Sequence, residues 1–247
     1  MPRTSDSSSH GQSAFALTRW SVVRAAGGSN ASAARDALTS LCETYWYPLY
    51  AFVRRRGFAS DEAQDLVQGF FARMLEKNDF VGLDPKRGKF RAFLLACLKH
   101  FIANERDRAN ALKRGGGKAH ISFDAFEAEQ RYKLEPTDDT TPERLFERRW
   151  AIELLDQAMS ALRQEYEKAG SLAMFDHLKS QLTDAGKTAR NADIADELGM
   201  TEAAIKKAAQ RLRQRYREAV RAQIEETVTS QEEVEEEIRD LFDALGT

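Results

Sequence analysis

Only 2 cysteines and 4 histidines occur in the 247 residues, and none stands at a metal-ligand spacing. Neither a disulfide framework nor a zinc site is therefore available to organise the fold. Cys42 and Cys97 each sit among apolar neighbours and are expected as small buried hydrophobes. His10 and His120 fall in polar segments, His177 in a mixed helical pattern and His100 in a basic stretch. No apolar run approaches the roughly 20 residues of a membrane span. The polar start MPRTSDSSSHGQS lacks the apolar centre of a secretion signal, so the chain is expected in the cytoplasm without a membrane partner. Strand alternation, internal repeats, HExxH, GxGxxG and a nucleophile elbow are all missing, and no catalytic groups cluster. The run at 115–118, GGGK, fails the phosphate-loop spacing because the earlier glycine and the Ser or Thr after Lys118 are absent. A non-enzymatic protein with no metal and no cofactor is expected.

With 42% hydrophobic residues, 31% charged residues and only 5 prolines, the chain reads as strongly helical, and its fold class as all-α. The formal net charge of −2 argues at first against nucleic acid. Its distribution argues for it. Residues 85–118 carry ten Lys or Arg against Glu105 and Asp107, and residues 187–221 carry nine against five acids. Residues 222–247 carry nine acids against Arg239 alone. Two basic blocks and an acidic tail suggest two separate contact surfaces.

The most informative stretch is 191–217, NADIADELGMTEAAIKKAAQRLRQRYR, which reads as a helix-turn-helix. Ile194, Ala195 and Leu198 give the first helix an apolar face, Gly199 tolerates positive φ in the turn, and Thr201 can cap the second helix. In that second helix Ile205, Ala209, Leu212 and Tyr216 recur at spacings of 4, 3 and 4 as one inward stripe. Rotated away from it lie Lys206, Lys207, Gln210, Arg211, Arg213 and Arg217, residue types that contact phosphates and base edges. The pattern fits a DNA recognition helix better than it fits the alternative, a solvated basic face on an ordinary helix.

Elsewhere the chain divides by composition. Residues 1–30 form an N-terminal extension, with a short amphipathic pattern around Leu17, Trp20 and Val23. Residues 31–56 are a long helical pattern in which Pro48 could kink or divide the helix. Ser60 is placed to cap the next helix, whose inward pairs are Leu66, Val67, Phe70, Phe71, Met74 and Leu75. Its opposite face, Asp61, Gln64, Asp65, Gln68 and Arg73, is either solvated or suited to a basic partner. After a loop at 78–89, the helix at 90–114 turns Arg91, Lys99, His100, Asn104, Arg108 and Lys113 outward. Aromatics among those cations suit a surface that grips unstacked bases, or else belong to the core. Residues 115–140 read as a flexible linker, and Thr141 with Pro142 as the cap and first turn of a second unit at 141–221. A further helix is expected over 172–182, and Ser230 with Glu233 forms a capping box for a last helix within an acidic extension, 222–247.

Set side by side, these parts resemble the bacterial sigma factors of the sigma-70 family, most closely the compact extracytoplasmic-function type. Residues 61–75, DEAQDLVQGFFARML, look like the family's D-x-E-D-L-V-Q-x-x-F segment, with Gln64 and Gly69 as departures. Residues 90–114 look like the helices that read and melt the −10 region, with Phe93 where the family commonly has Trp. Residues 191–217 look like the part that reads the −35 element. Residues 172–190 lack the family's usual L-P-x-x-x-R-x-V-F, and the acidic helix after Thr229 lies outside its minimal pattern.

The resemblance implies two small helical domains on a flexible linker: a region 2-like bundle at 31–114 and a region 4-like helix-turn-helix at 141–221. It implies a sigma factor that directs core RNA polymerase to promoters. Asp61, Asp65, Gln68 and Phe71 would dock on the polymerase clamp helices. Phe93, Lys99, His100, Asn104 and Arg108 would contact the −10 region as the strands separate. Thr201, Lys206, Lys207, Gln210, Arg211 and Arg213 would contact −35. Partners would be core polymerase through clamp helices and flap, promoter DNA, and an anti-sigma factor. The rival readings are a stand-alone helix-turn-helix regulator of duplex operators and a helical adaptor with no DNA role. For the acidic tail, folding back over Lys206 to Arg217 competes with completing a core through Val234, Ile238 and Leu241.

Overall fold

The computed structural model describes residues 31–77, 89–111, 125–135, 140–183, 191–225, 228 and 230–246. The N-terminal extension with its pattern around Leu17, Trp20 and Val23, nearly all of the loop at 78–89, and the glycine run at 115–118 lie outside them. The described residues contain α-helices and no strand.

The first helix, α1 (Ala31–Arg55), is the centre of the molecule. Every residue from Thr44 to Val53 is buried, so the helix is covered all round rather than on one stripe. Pro48 lies inside it without dividing it. Around α1 pack α2 (Ser60–Lys77), α4 (Ala125–Lys133) and the long α5 (Pro142–Lys168), while α3 (Phe90–Ala111) rests on α2. Ser60, placed by sequence as a cap, is the first residue of α2 and sets its hydroxyl 3.0 Å from that of Tyr50.

Thr141 caps α5 as its sequence implies, its Oγ1 accepting from Arg144 N–H at 3.2 Å with Pro142 in the first turn. The helix then runs 27 residues, about 40 Å, and passes through two apolar cores in succession. Its first half gives Leu145, Phe146, Trp150, Ala151 and Leu154 to a core built mostly by α1, α2 and α3. Its second half gives Leu162 and Tyr166 to a smaller core with α6 (Leu172–Leu178), α8 (Asn191–Leu198) and the start of α9 (Glu202–Glu225). The helix expected over 172–182 is divided at Lys179 into α6 and α7 (Ser180–Thr183). Ile224 at the end of α9, and Val234 and Leu241 of α10 (Gln231–Leu245), return to the first core. That core therefore draws on both sides of the boundary expected at 140–141.

Part of the stretch expected as a linker is helix α4, and it is tied down by long-range polar contacts. Glu129 accepts from Arg54 Nε and Nη2, each at 3.0 Å, and from the Tyr50 hydroxyl at 2.6 Å. Glu135 is buried and accepts from the Tyr47 hydroxyl at 2.6 Å and from Arg149. Burial works to raise the pKa of Glu129, but the bonds from Arg54 and Tyr50 outweigh it and hold the carboxyl below its ordinary value. A carboxyl with a depressed folded-state pKa contributes stability that is complete above its unfolded value and is lost as pH falls through the folded one. Thermal stability is therefore expected to drop as the pH falls below the ordinary glutamate range, and Glu129→Gln should flatten that drop. Parallel melting curves for the two proteins check it; equal slopes would leave the tether without a role in acid sensitivity.

Candidate nucleic-acid interface

In the helix-turn-helix, α8 ends at Gly199 with φ +62°, a left-handed conformation that a side chain would strain. The Met200 N–H closes back on the Ala195 carbonyl at 2.8 Å, and Thr201 Oγ1 accepts from Ala204 N–H at 3.2 Å to open α9. The turn thus sets the angle between the two helices with a backbone bond on one side and a side-chain cap on the other.

On α9, Ile205, Ala209 and Leu212 are buried in the second core. Tyr216 is half-buried against the same core, and its hydroxyl donates to the Leu155 carbonyl at 3.2 Å. Burial, and then the charge of Asp156, pushes the pKa of this phenol up to about 12, so the hydroxyl stays protonated and keeps donating. The stripe expected from spacing is therefore the inward face. Thr201, Lys206, Lys207, Gln210, Arg211 and Arg213 are all exposed, and so is Arg217. Lys206 makes an exposed pair with Glu202 at 2.9 Å one turn back, of the kind whose net contribution is small and which a phosphate can displace. The outward face from Lys206 to Arg217 is a cationic, amide-bearing surface on a 24-residue helix braced from behind.

The second basic surface is more mixed. On α3, His100 and Asn104 are exposed, while Phe93 is half-buried on the first core with its ring 6.1 Å from that of Phe90. Lys99 is half-exposed, lies 5.7 Å from the Phe52 ring and pairs with Glu143 of α5 at 2.7 Å. That bond is the main cause holding the Glu143 carboxyl below its ordinary pKa. Arg108 belongs to α3, but its side chain lies outside the described ones. Arg106, absent from the expected set, is exposed on the same helix with its guanidinium 4.5 Å from the Phe58 ring centre. Its position two turns after Lys99 is the spacing that could have found it.

Arg91 departs from expectation. Spacing turns it outward, yet it is buried, with Nε donating to Glu147 at 2.7 Å, Nη2 to Asp240 at 2.8 Å and Nη1 to Glu237. Its guanidinium also lies 3.9 Å from the centre of the Trp150 ring. Burial opposes the charge, but the carboxylates of Glu147 and Glu237 outweigh it and raise the pKa. The acidic helix and α5 together are the reason. The ion pairs of α10 reach Lys89, Arg91 and Arg221, so it lies across the start of α3 and the end of α9. Of the two readings of the tail, the structure supports completion of a core: Val234, Ile238 and Leu241 pack into the first core, while Lys206, Lys207, Gln210, Arg211, Arg213 and Arg217 stay exposed.

The third expected surface divides. Asp61 and Asp65 are exposed on α2 with Gln64 half-buried between them. Gln68 is only 6% exposed, and Phe71 is a core side chain packed beside Phe70. Asp61 and Asp65 are thus the parts of the set that a partner can reach, and Phe71 holds their helix in place. Among the described residues no group of three or more His, Cys, Asp or Glu could hold a metal ion, and no helix is long and apolar enough to cross a membrane.

No curated protein and no solved structure matches the chain significantly. A protein-family model described as "ECF sigma factor" does match, over residues 51–222. The match takes in α2, α3 and the whole helix-turn-helix in one unbroken span, well over half of the sequence. The family has a role in transcription initiation, and this protein belongs to it: it is an ECF-type member of the sigma-70 family.

Proposed function

We propose that this sigma factor binds core RNA polymerase and, in that complex, reads the −10 and −35 elements and helps to separate the strands. The observation that carries the reading is the outward face of α9, where Lys206, Lys207, Gln210 and Arg211 are exposed on a helix whose opposite stripe is buried. These side chains would take phosphates and base edges at −35, with Arg213 beside them and Thr201 at the helix start. Residues 31–114 and 141–221 are the two functional units, joined through 115–140. On the first, Lys99, His100, Asn104 and Arg108 would hold the −10 strand, with the half-buried Phe93 receiving an unstacked base. Such stacking contributes about 1–3 kcal/mol per base and offsets the cost of melting. Asp61 and Asp65 would meet basic groups of the polymerase clamp helices, with Gln68 and Phe71 supporting them from within, and the second unit would meet the flap. An anti-sigma factor would be a further partner of the same surfaces. Each short DNA contact is weak alone, and tethering both to one polymerase raises their effective concentration.

The test is a pull-down of core polymerase with Asp61→Lys/Asp65→Lys. Both side chains are exposed, so the fold is expected to persist. Placing like charges against a basic partner costs several kcal/mol, so binding should weaken about hundredfold or more. Unchanged binding to core polymerase would remove α2 from the interface. A footprint made by the free chain on duplex operator, without polymerase, would favour the stand-alone regulator instead.

A further inference from the structure

Helix α9 carries more than charge on its outward side. At about 100° per residue, the direction opposite the stripe of Ile205, Ala209, Leu212 and Tyr216 is shared, within about 50°, by Ala203, Lys207, Gln210, Arg211, Gln214 and Glu218. All of these are exposed. They form the ridge that would lie deepest in a major groove, since a recognition helix enters with its N-terminal half against the base edges and its buried stripe turned away. Glu218 marks where that contact ends. A carboxylate there would face phosphate oxygens, so the part of the ridge that can enter a groove stops short of it. At the leading end Ala203 has only a methyl group, which lets the backbone come close to the DNA.

Charge along this surface attracts every sequence to much the same degree, because phosphates are present at every step. Choice between sequences needs a donor and an acceptor at fixed spacing, on a side chain not already spent within the protein. Most of the polar groups on and beside the ridge are spent. Thr201 Oγ1 accepts from Ala204 N–H at 3.2 Å, and Glu202 pairs with Lys206 at 2.9 Å. Gln214 donates to Glu218 at 3.0 Å, and Arg215 is held by Glu165 of α5. Gln210 is different. Its amide is exposed about two turns from the helix start and has no hydrogen-bonding partner among the described residues. Its neighbour Ala209 is only 3% exposed, so the backbone that carries the amide is fixed against the second core.

We infer that Gln210 is the specificity-determining residue of α9 and that it selects an A·T pair within the −35 element, an inference that rests on the proposed promoter-reading function and adds the chemistry of what is read. In the major groove adenine offers N7 as an acceptor and its N6 amino group as a donor. A glutamine amide meets both, its nitrogen donating to N7 and its oxygen accepting from N6. Guanine offers two acceptors, N7 and O6, and would set the amide oxygen against another oxygen. Lys206, Lys207 and Arg211 thus supply affinity, and Gln210 supplies choice.

The test is a selection by the full chain in complex with core polymerase, from duplexes randomised over the −35 element. Wild-type protein should enrich one position for A·T. Gln210→Ala should lose that preference and keep the others, and it should bind the wild-type selection about tenfold more weakly. Its salt slope should be unchanged, because no charge is removed. Gln210→Arg should move the same position to G·C, since a guanidinium fits O6 and N7 of guanine. The position is exposed, so both variants are expected to fold. In the selected duplex, 7-deazaadenine at that position keeps the base pair and the N6 group but lacks N7. It should weaken wild-type protein and leave Gln210→Ala unaffected. Wild-type protein and Gln210→Ala that enrich the same bases overturn the inference, and so does a deaza substitution that weakens both alike. If the wild-type complex enriches nothing at −35 beyond what core polymerase enriches alone, the promoter-reading function fails and this inference fails with it. Enrichment at −35 that is indifferent to Gln210 removes only the role given to that residue.

Discussion

Alanine at Lys206, Lys207 and Arg211 together is expected to lower −35-dependent initiation by the polymerase complex about hundredfold. Each side chain is exposed and Ile205, Ala209 and Leu212 beneath them are untouched, so α9 should keep its place. Losing three contacts at about 1 kcal/mol each removes about 3 kcal/mol, and about 1.4 kcal/mol corresponds to tenfold. The Lys206 pair with Glu202 subtracts only a few tenths of a kcal/mol, because an exposed pair one turn apart is weak. Salt dependence separates phosphate neutralisation from a loss of folding. Each phosphate contact removed should reduce the slope of log affinity against log salt by about 0.9, so the triple variant should lose between two and three. Promoter binding at several salt concentrations measures it. A variant with weakened binding and an unchanged slope would mean that these cations do not face the backbone.

Phe146→Ala and Phe175→Ala are expected to destabilise the free protein by similar amounts although they empty different cores. Both side chains are essentially fully buried, Phe146 in the first core and Phe175 in the second. Truncating a buried Phe costs about 3–5 kcal/mol, a large share of the usual 5–15 kcal/mol of a domain. At about 2–4 °C per kcal/mol for a chain of this size, each variant should melt about 10 °C lower. Because α5 passes unbroken through both cores, the chain should lose them in one transition, and both variants should shift that same transition. Calorimetry that resolves two transitions, one moved by each variant, would show the cores to be thermodynamically separate.

What could be read from the sequence were the features whose causes are local. Thr141 with Pro142, Gly199 with Thr201, and Ser230 with Glu233 each sit within a few positions of the backbone group they satisfy, and all three function as their spacing implies. The stripes of α9 and α2 follow from periodicity for the same reason. Phe71 is instructive because spacing puts it inside and family resemblance puts it on a docking face; it is inside. Arg91 could not be placed by any local rule. Its burial depends on Glu147, Trp150, Glu237 and Asp240, which lie between 56 and 149 positions further along the chain. Helix α4 was hidden likewise, since Glu129 and Glu135 find Arg54, Tyr50 and Tyr47 at separations of 75 to 88. On α3, spacing alone leaves Lys99 free, whereas it answers to a carboxylate on α5.

The two cores differ in how much chain each must gather. The second uses residues from Leu162 to Leu212, whereas the first joins Cys42 to Leu241. Contacts close in sequence form faster, because less chain entropy is lost before they are made. The half that carries the helix-turn-helix should therefore reach its final form before the half that precedes it on the ribosome. At about 5–20 residues per second, α1 waits roughly five seconds or more for α5, its largest partner, with Tyr45, Leu49 and Phe52 only partly covered until then. During that interval the aromatic side of α1 is the surface most in need of a chaperone.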